Sequence, residues 1–280
     1  MTQFGDLVPQ AFDPAGASFV EVLRRAAPDQ VPALLQGTPL PEELLRQLVH
    51  GTTVLALRFA GGVVVAGDRR ATSGNLIARG DMRKVFPADT WSAIAIAGAA
   101  GPAVELARVF AIELEHYEKV EGDPLSLDGK ANKLAGMVRA NMGLAMQGLV
   151  VVPLFAGVEK ATGIGRIFEY DAIGGRYAAS DHAASGSGSL IARGTLKRLV
   201  DPGADAATGT RTAVEALFDA AEDDSATGGP DLIRRIYPIV AVVDEAGYRE
   251  LDEDTVAQLV RDVVAARTER SARNVRNDDD

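Results

Sequence analysis

The chain has 280 residues, 47% of them hydrophobic, and carries 29 Lys and Arg against 39 Asp and Glu for a formal charge of -10. That is enough apolar material for a full core in one or two domains, while the acidic balance argues against a general phosphate-backbone binder, whose affinity comes from clustered Lys and Arg. Cysteine is absent, which removes disulfides, thiolate metal sites and a thiol nucleophile, so any covalent catalysis must use an oxygen or an amine.

Residues 1–51 mix Pro and Gly with one amphipathic piece between Phe19 and Leu35, where apolar residues recur at Phe19, Val22, Leu23 and Ala26. This stretch reads as a partly ordered leader with a short helix. It has neither the basic start nor the apolar run of a secretory signal, and no stretch of the chain approaches about 18 uncharged apolar residues, so a soluble cytoplasmic protein is expected.

From Thr52 to Gly67 the pattern is two β runs around Ala60-Gly61-Gly62, a hairpin signal. Strands are expected to continue through Asn75–Val85 and Thr90–Ala97. Two helices follow, from about Pro102 to Lys119, with proline tolerated in the first turn, and from about Ser126 to Gln147. Further strands are expected at Val150–Val158, Arg166–Asp171 and Arg176–Ser187, with Gly174-Gly175 as a turn. Helices over Leu190–Leu199 and Arg211–Asp224 precede a closing buried strand, Ile236–Val243. Strands grouped with strands and helices with helices argue for α+β layers of antiparallel sheet with helices outside, not for alternating βαβ units. The polar end, Arg267–Asp280, finishes in three aspartates and reads as disordered, leaving 52–266 as the folded domain.

The chemistry gathers on Thr52. A cut between Gly51 and Thr52 would leave an N-terminal threonine, which carries a hydroxyl nucleophile and an amine base on one residue. The unperturbed α-amine pKa of about 7.7–8.0 leaves part of it unprotonated near neutrality, and glycine ahead of the bond offers least obstruction to attack. Asp68 in VVVAGDRRAT and Lys84 in DMRKVF each border an apolar run. A lysine turned inward needs a partner, and Asp68 is the natural one. A cationic Lys84 near Thr52 would favour loss of the hydroxyl proton and keep the amine neutral. Gly98, in the turn IAGAAG, could present a bare backbone N–H to an oxyanion. His50, His116 and His182 show no metal-ligand spacing, so neither a zinc site nor another cofactor is expected.

The segments TTVLAL, GVVVAGDRRAT, RKVF, IAGAAG, ELEHYEK, MQGL, GSGS and DDSATGGPD, in this order, resemble the proteolytic β subunit of the proteasome, in particular its actinobacterial form, from about Thr52 to Glu250. The resemblance implies a four-layer αββα sandwich, the N-terminal nucleophile hydrolase fold, and a propeptide, residues 1–51, removed by self-cleavage. It assigns Thr52, Asp68, Lys84 and Gly98 to the catalytic centre and places Ser187, Asp224 and Thr227 beside the threonine amine, Thr227 standing where the family commonly has serine. Its substrate positions fall on Ala71, Thr72, Met82, Phe86, Ile96, Ala100 and Val104, all uncharged, so apolar side chains before the cut are expected; Met82 and Ile96 suit a buried core equally well. The segments around Thr72 and Ala100 would pair with an extended peptide.

Implied partners are α-subunit rings, further β subunits in a seven-membered ring within a stacked four-ring core, a regulatory ATPase and unfolded protein substrates. Two other readings stand beside this one: the simpler bacterial relative that also starts Thr-Thr but lacks a long leader, and a non-catalytic proteasome-like scaffold subunit, which would not need Gly51, Thr52, Asp68 and Lys84 together.

Overall fold

A computed structural model describes residues 49–278, with side chains from 51 to 269; the leader helix expected at Phe19–Leu35 lies outside the described residues. In chain order the first strands are β1 (Val49–His50), β2 (Thr53–Phe59), β3 (Gly62–Gly67), β4 (Ala71–Ser73), β5 (Leu76–Arg79), β6 (Val85–Asp89) and β7 (Ser92–Gly98). Helices α1 (Ala100–Glu121), α2 (Leu127–Ala140) and α3 (Met142–Met146) follow, then β8 (Val151–Glu159), β9 (Ile164–Tyr170), β10 (Arg176–Ala179) and β11 (His182–Gly186). The chain continues through α4 (Ser189–Leu199), α5 (Ala206–Asp223), β12 (Ile239–Asp244), β13 (Gly247–Glu250) and α6 (Glu253–Asp278).

Period-two alternation decides which layer each central side chain joins. In the β2–β3 hairpin, Leu55, Leu57, Val64 and Ala66 belong to one core, and Val54, Ala56, Val63 and Val65 to another. The hairpin lies in a five-stranded antiparallel sheet ordered β11-β2-β3-β12-β13, and a second runs β10-β9-β8-β7-β6. Between the sheets, Val54, Ala56, Val63 and Val65 meet Ala93, Ala95, Leu154, Ala156 and Ile167. On one outer face Leu106 and Phe110 of α1 and Leu134 and Val138 of α2 cover Ile94, Phe155 and Phe168. On the other, Leu196, Ala213, Leu217 and Val260 from α4, α5 and α6 cover Leu55, Leu57 and Val242. The result is the expected αββα sandwich. A small third sheet, β1-β4-β5, stands at its edge.

Local departures have local causes. Asn75–Val85 is not one strand: β5 ends at Arg79, and the Met82 amide bonds to the Arg69 carbonyl instead of a strand ladder. The second helix breaks at Asn141, whose side-chain amide takes the Met137 carbonyl. Arg176–Ser187 divides between the two sheets, β10 pairing with β9 and β11 with β2. The helix expected at Arg211 starts at Ala206, where Asp205 caps the Thr208 amide at 2.8 Å. Ile236–Val243 is not the closing strand, since β12 turns back into β13. The end from Arg267, expected to be disordered, is helical to Asp278. Arg267 pairs with Asp219 and Glu222 and lies over the Phe218 ring, which fastens α6 to α5. No helix among the described residues is long and apolar enough to cross a membrane.

Candidate active site

The β2–β3 hairpin brings Thr52 and Asp68 together. β2 starts at Thr53 and β3 ends at Gly67, so both residues sit at the same end of the pair. The Asp68 amide bonds to the Thr53 carbonyl at 3.0 Å, and the Thr53 amide donates to Asp68 Oδ1 at 2.7 Å. Lys84 arrives from the other sheet. It immediately precedes β6, and its carbonyl accepts the Ile96 amide of β7 at 2.9 Å. Its Nζ donates to Asp68 Oδ1 at 2.6 Å, to the Arg70 carbonyl, and to the Gly51 carbonyl at 3.3 Å.

Lys84 is 1% exposed. Burial pushes its ammonium below the ordinary lysine range, and the charge and hydrogen bond of Asp68 oppose that shift. The second carboxylate oxygen of Asp68 accepts the amides of Arg70 and Gly228, both at 2.8 Å.

The Gly51–Thr52 bond is intact in this structure, so the Thr52 nitrogen is an amide standing where a free α-amine would be after a cut. Thr52 is buried, and its Oγ1 donates to the Gly51 carbonyl at 2.6 Å. The Thr52 amide points to Ser187 Oγ at 3.4 Å, while the Ser187 amide holds the Thr52 carbonyl at 2.8 Å. Ser187 Oγ donates in turn to Asp224 Oδ2 at 2.6 Å, and Thr227 Oγ1 donates to the same oxygen at 2.5 Å. Burial pushes the Asp224 carboxyl up, but the hydrogen bonds from Ser187, Thr227 and the Ala226 amide, with the charge of Lys84, leave it below the ordinary range. Ser187, Asp224 and Thr227 therefore form one connected chain ending at the Thr52 nitrogen.

Gly98 closes β7 with φ +104, and a Cβ there would meet the Val150 carbonyl oxygen at 2.1 Å. It lies two residues before Ala100, which lines a cavity of about 390 Å³ together with Ala71, Met82, Phe86, Val104, Arg79, Asp81 and Arg83. Two of the expected substrate positions do not line this cavity. Ile96 points into the helix-covered core beside Ala103 and Phe110, because it shares the face of β7 that packs on α1. Thr72 is on β4, opposite His50 of β1. The cavity is also less neutral than its apolar members imply: Arg79 pairs with Asp81 at 3.3 Å, and Arg83 pairs with Glu250.

Three participants escaped sequence reasoning. Thr53 Oγ1 lies 2.6 Å from Thr227 Oγ1 and accepts the Gly188 amide. Arg70 donates to the carbonyls of Ser225 and Thr227, joining the β3 end to the loop after α5. Gly228 contributes only its amide. The doubled threonine, the doubled arginine of GDRR and the doubled glycine of DDSATGGPD are the marks these leave in the sequence.

Residues 48–233 match the family model described as "Proteasome subunit". The chain is 54% identical over 272 residues to a proteasome subunit beta of Acidothermus cellulolyticus, covering 94% of this chain and 92% of that protein. It is 53% identical over 265 residues to a proteasome subunit beta of Acidimicrobium ferrooxidans, covering 94% of this chain and 95% of that one.

Proposed function

The chain belongs to the proteasome subunit family, and from that premise we propose that it is a catalytic β subunit, an N-terminal threonine endopeptidase made as a precursor that cuts itself between Gly51 and Thr52. The observation that carries this reading is the position of the buried Lys84 ammonium, in contact with both Asp68 and the carbonyl of the bond to be cut. A buried cation beside a scissile carbonyl stabilises the oxyanion formed on attack.

In the self-cleavage step, Thr52 Oγ1 adds to the Gly51 carbonyl carbon and the carbon–nitrogen bond breaks. The hydroxyl proton ends on the departing nitrogen, which becomes the α-amine, and Gly51 is left as an ester on Thr52. Water then hydrolyses the ester, releasing the Gly51 carboxylate and restoring the hydroxyl. Hydrolysis of a substrate peptide repeats the acyl transfer, with the free amine as base. Ser187, Asp224 and Thr227 orient that amine, and Gly98 offers its N–H to the oxyanion. The cavity beside Ala100 receives the side chain before the cut and favours apolar groups.

Similarity to proteasome β subunits over 94% of this chain, more than residues 52–280 alone can supply, favours this reading over the shorter bacterial relative. The subunit works in a ring of β subunits capped by α subunits and fed by an ATPase. N-terminal sequencing of assembled rings, with peptide hydrolysis assays, tests the proposal: a chain beginning at Thr52 and active on peptides supports it, and assembled rings still beginning at Met1 would sink it.

A further inference from the structure

The α-carbon of Gly51 faces Thr72 and Ala226, neither of which lines the cavity beside Ala100. Gly51 has φ +103, a conformation that glycine reaches freely and L-residues with a Cβ rarely adopt. A Cβ built there would lie 2.3 Å from Thr72 Oγ1 and 2.8 Å from the Ala226 Cβ, distances no real contact sustains. Neither group belongs to the cavity lined by Met82, Phe86, Ala100 and Val104. Thr72 is held in register by pairing of β4 with β1, His50 opposite Thr72 and Val49 opposite Ser73. Ala226 is held by the bond of its amide to Asp224 Oδ1 and by Arg70, which grips the carbonyls on either side of it, at Ser225 and Thr227. The two groups therefore form a fixed boundary against the α-carbon of Gly51.

We propose that Thr72 and Ala226 are the specificity-determining residues of self-cleavage, a wall that admits only glycine ahead of Thr52 and acts independently of the pocket that selects side chains in substrate peptides. One fold then holds two selectivities at one nucleophile: the tethered chain is chosen by absence of a side chain, and free peptides by an apolar one. The inference rests on the self-cleaving peptidase reading given above.

The test is a double-mutant cycle on the full-length precursor co-expressed with a proteasome α subunit, with the rate of conversion to the Thr52-initiated chain followed by intact mass. Gly51→Ala should slow conversion by about tenfold or more, from backbone strain and the wall together. Gly51→Leu should be slower still, although leucine suits the substrate pocket. The penalty for alanine at position 51 should shrink by about threefold or more when either Thr72→Ala or Ala226→Gly is already present, because contacting residues couple in such a cycle. Conversion of Gly51→Leu at the wild-type rate would overturn the proposal, and so would an alanine penalty that is the same in all three backgrounds.

Peptide hydrolysis by wild-type rings separates this failure from failure of the underlying reading. If those rings begin at Thr52 and hydrolyse peptides while the penalty does not change, only the wall is lost. If the wild-type chain neither cuts itself nor hydrolyses peptides, the peptidase reading falls and takes the wall with it.

Discussion

Lys84 Nζ lies 2.6 Å from Asp68 Oδ1, and three backbone amides, of Thr53, Arg70 and Gly228, occupy the rest of that carboxylate. A carboxylate has about four acceptor positions. With all of them filled, Asp68 is a fixed countercharge to Lys84. Lys84→Ala should therefore cut peptide hydrolysis by about 10²–10³, the usual worth of one preorganised group facing a developing charge. Assembly should survive, because the three amides still satisfy Asp68. Turnover of fluorogenic peptides and native mass spectrometry on the same rings check both halves, and a threefold loss of rate would reduce Lys84 to charge balance.

Thr52→Ala should abolish self-cleavage and peptide hydrolysis together while leaving the fold intact, since the Thr52 backbone contacts to Ser187 persist. Thr52→Ser should keep measurable activity, because oxygen and amine both remain. Rings of Thr52→Ala that hydrolyse peptides near the wild-type rate would show that the nucleophile is elsewhere.

Peptides with Leu, Phe or Tyr before the scissile bond should be cut faster than those with Arg or Asp, by about tenfold in kcat/KM, a typical size for side-chain discrimination in an apolar pocket. Asp81 in the same cavity is paired with Arg79, and Glu250 with the cavity residue Arg83, so neither carboxylate is left free for a basic side chain. Val104→Asp should narrow the gap between Leu and Arg peptides, and an unchanged ratio would remove Val104 from the pocket.

Asp224 supplies a pH signature. Its folded pKa is depressed, burial being outweighed by the hydrogen bonds it accepts, so the unfolded chain takes up the proton first as pH falls. The stabilisation from the ionised group is complete above the unfolded value of 3.8 and is lost as pH drops through the lower folded value. Wild-type chain should be more resistant to denaturant than Asp224→Asn from pH about 7 to about 5, and the difference should close below about 4. A difference that persists undiminished into that acid range would assign the effect to packing.

What the sequence disclosed was governed by range. The turn at Ala60-Gly61-Gly62 with a β run on either side, and a helix beginning near Pro102, are local patterns, and they are readable as such. The division of Arg176–Ser187 between two sheets was not, because continuous strand-like residues do not say where a chain changes partner. Within the site, the side chains with unusual chemistry were identifiable one by one. The amides of Arg70 and Gly228 on Asp68 were invisible, since every residue except proline has an N–H and only the fold aims it. Ile96 was ambiguous for a related reason: an apolar residue on β7 fits a pocket wall or a core, and the packing of α1 settles the choice.

The pairing of β1 with β4 is only two residues long, Val49 with Ser73 and His50 with Thr72. So short a strand is kept in place by its covalent continuity with β2, which gives the tethered leader an effective concentration that a separate peptide would have to match by diffusion. In the proposed self-cleavage the amine forms while Gly51 is still held as an ester on Thr52, and hydrolysis of that ester would remove the tether. On that reading, the untethered leader would keep only a two-residue pairing with which to compete against free peptide for the edge of β4.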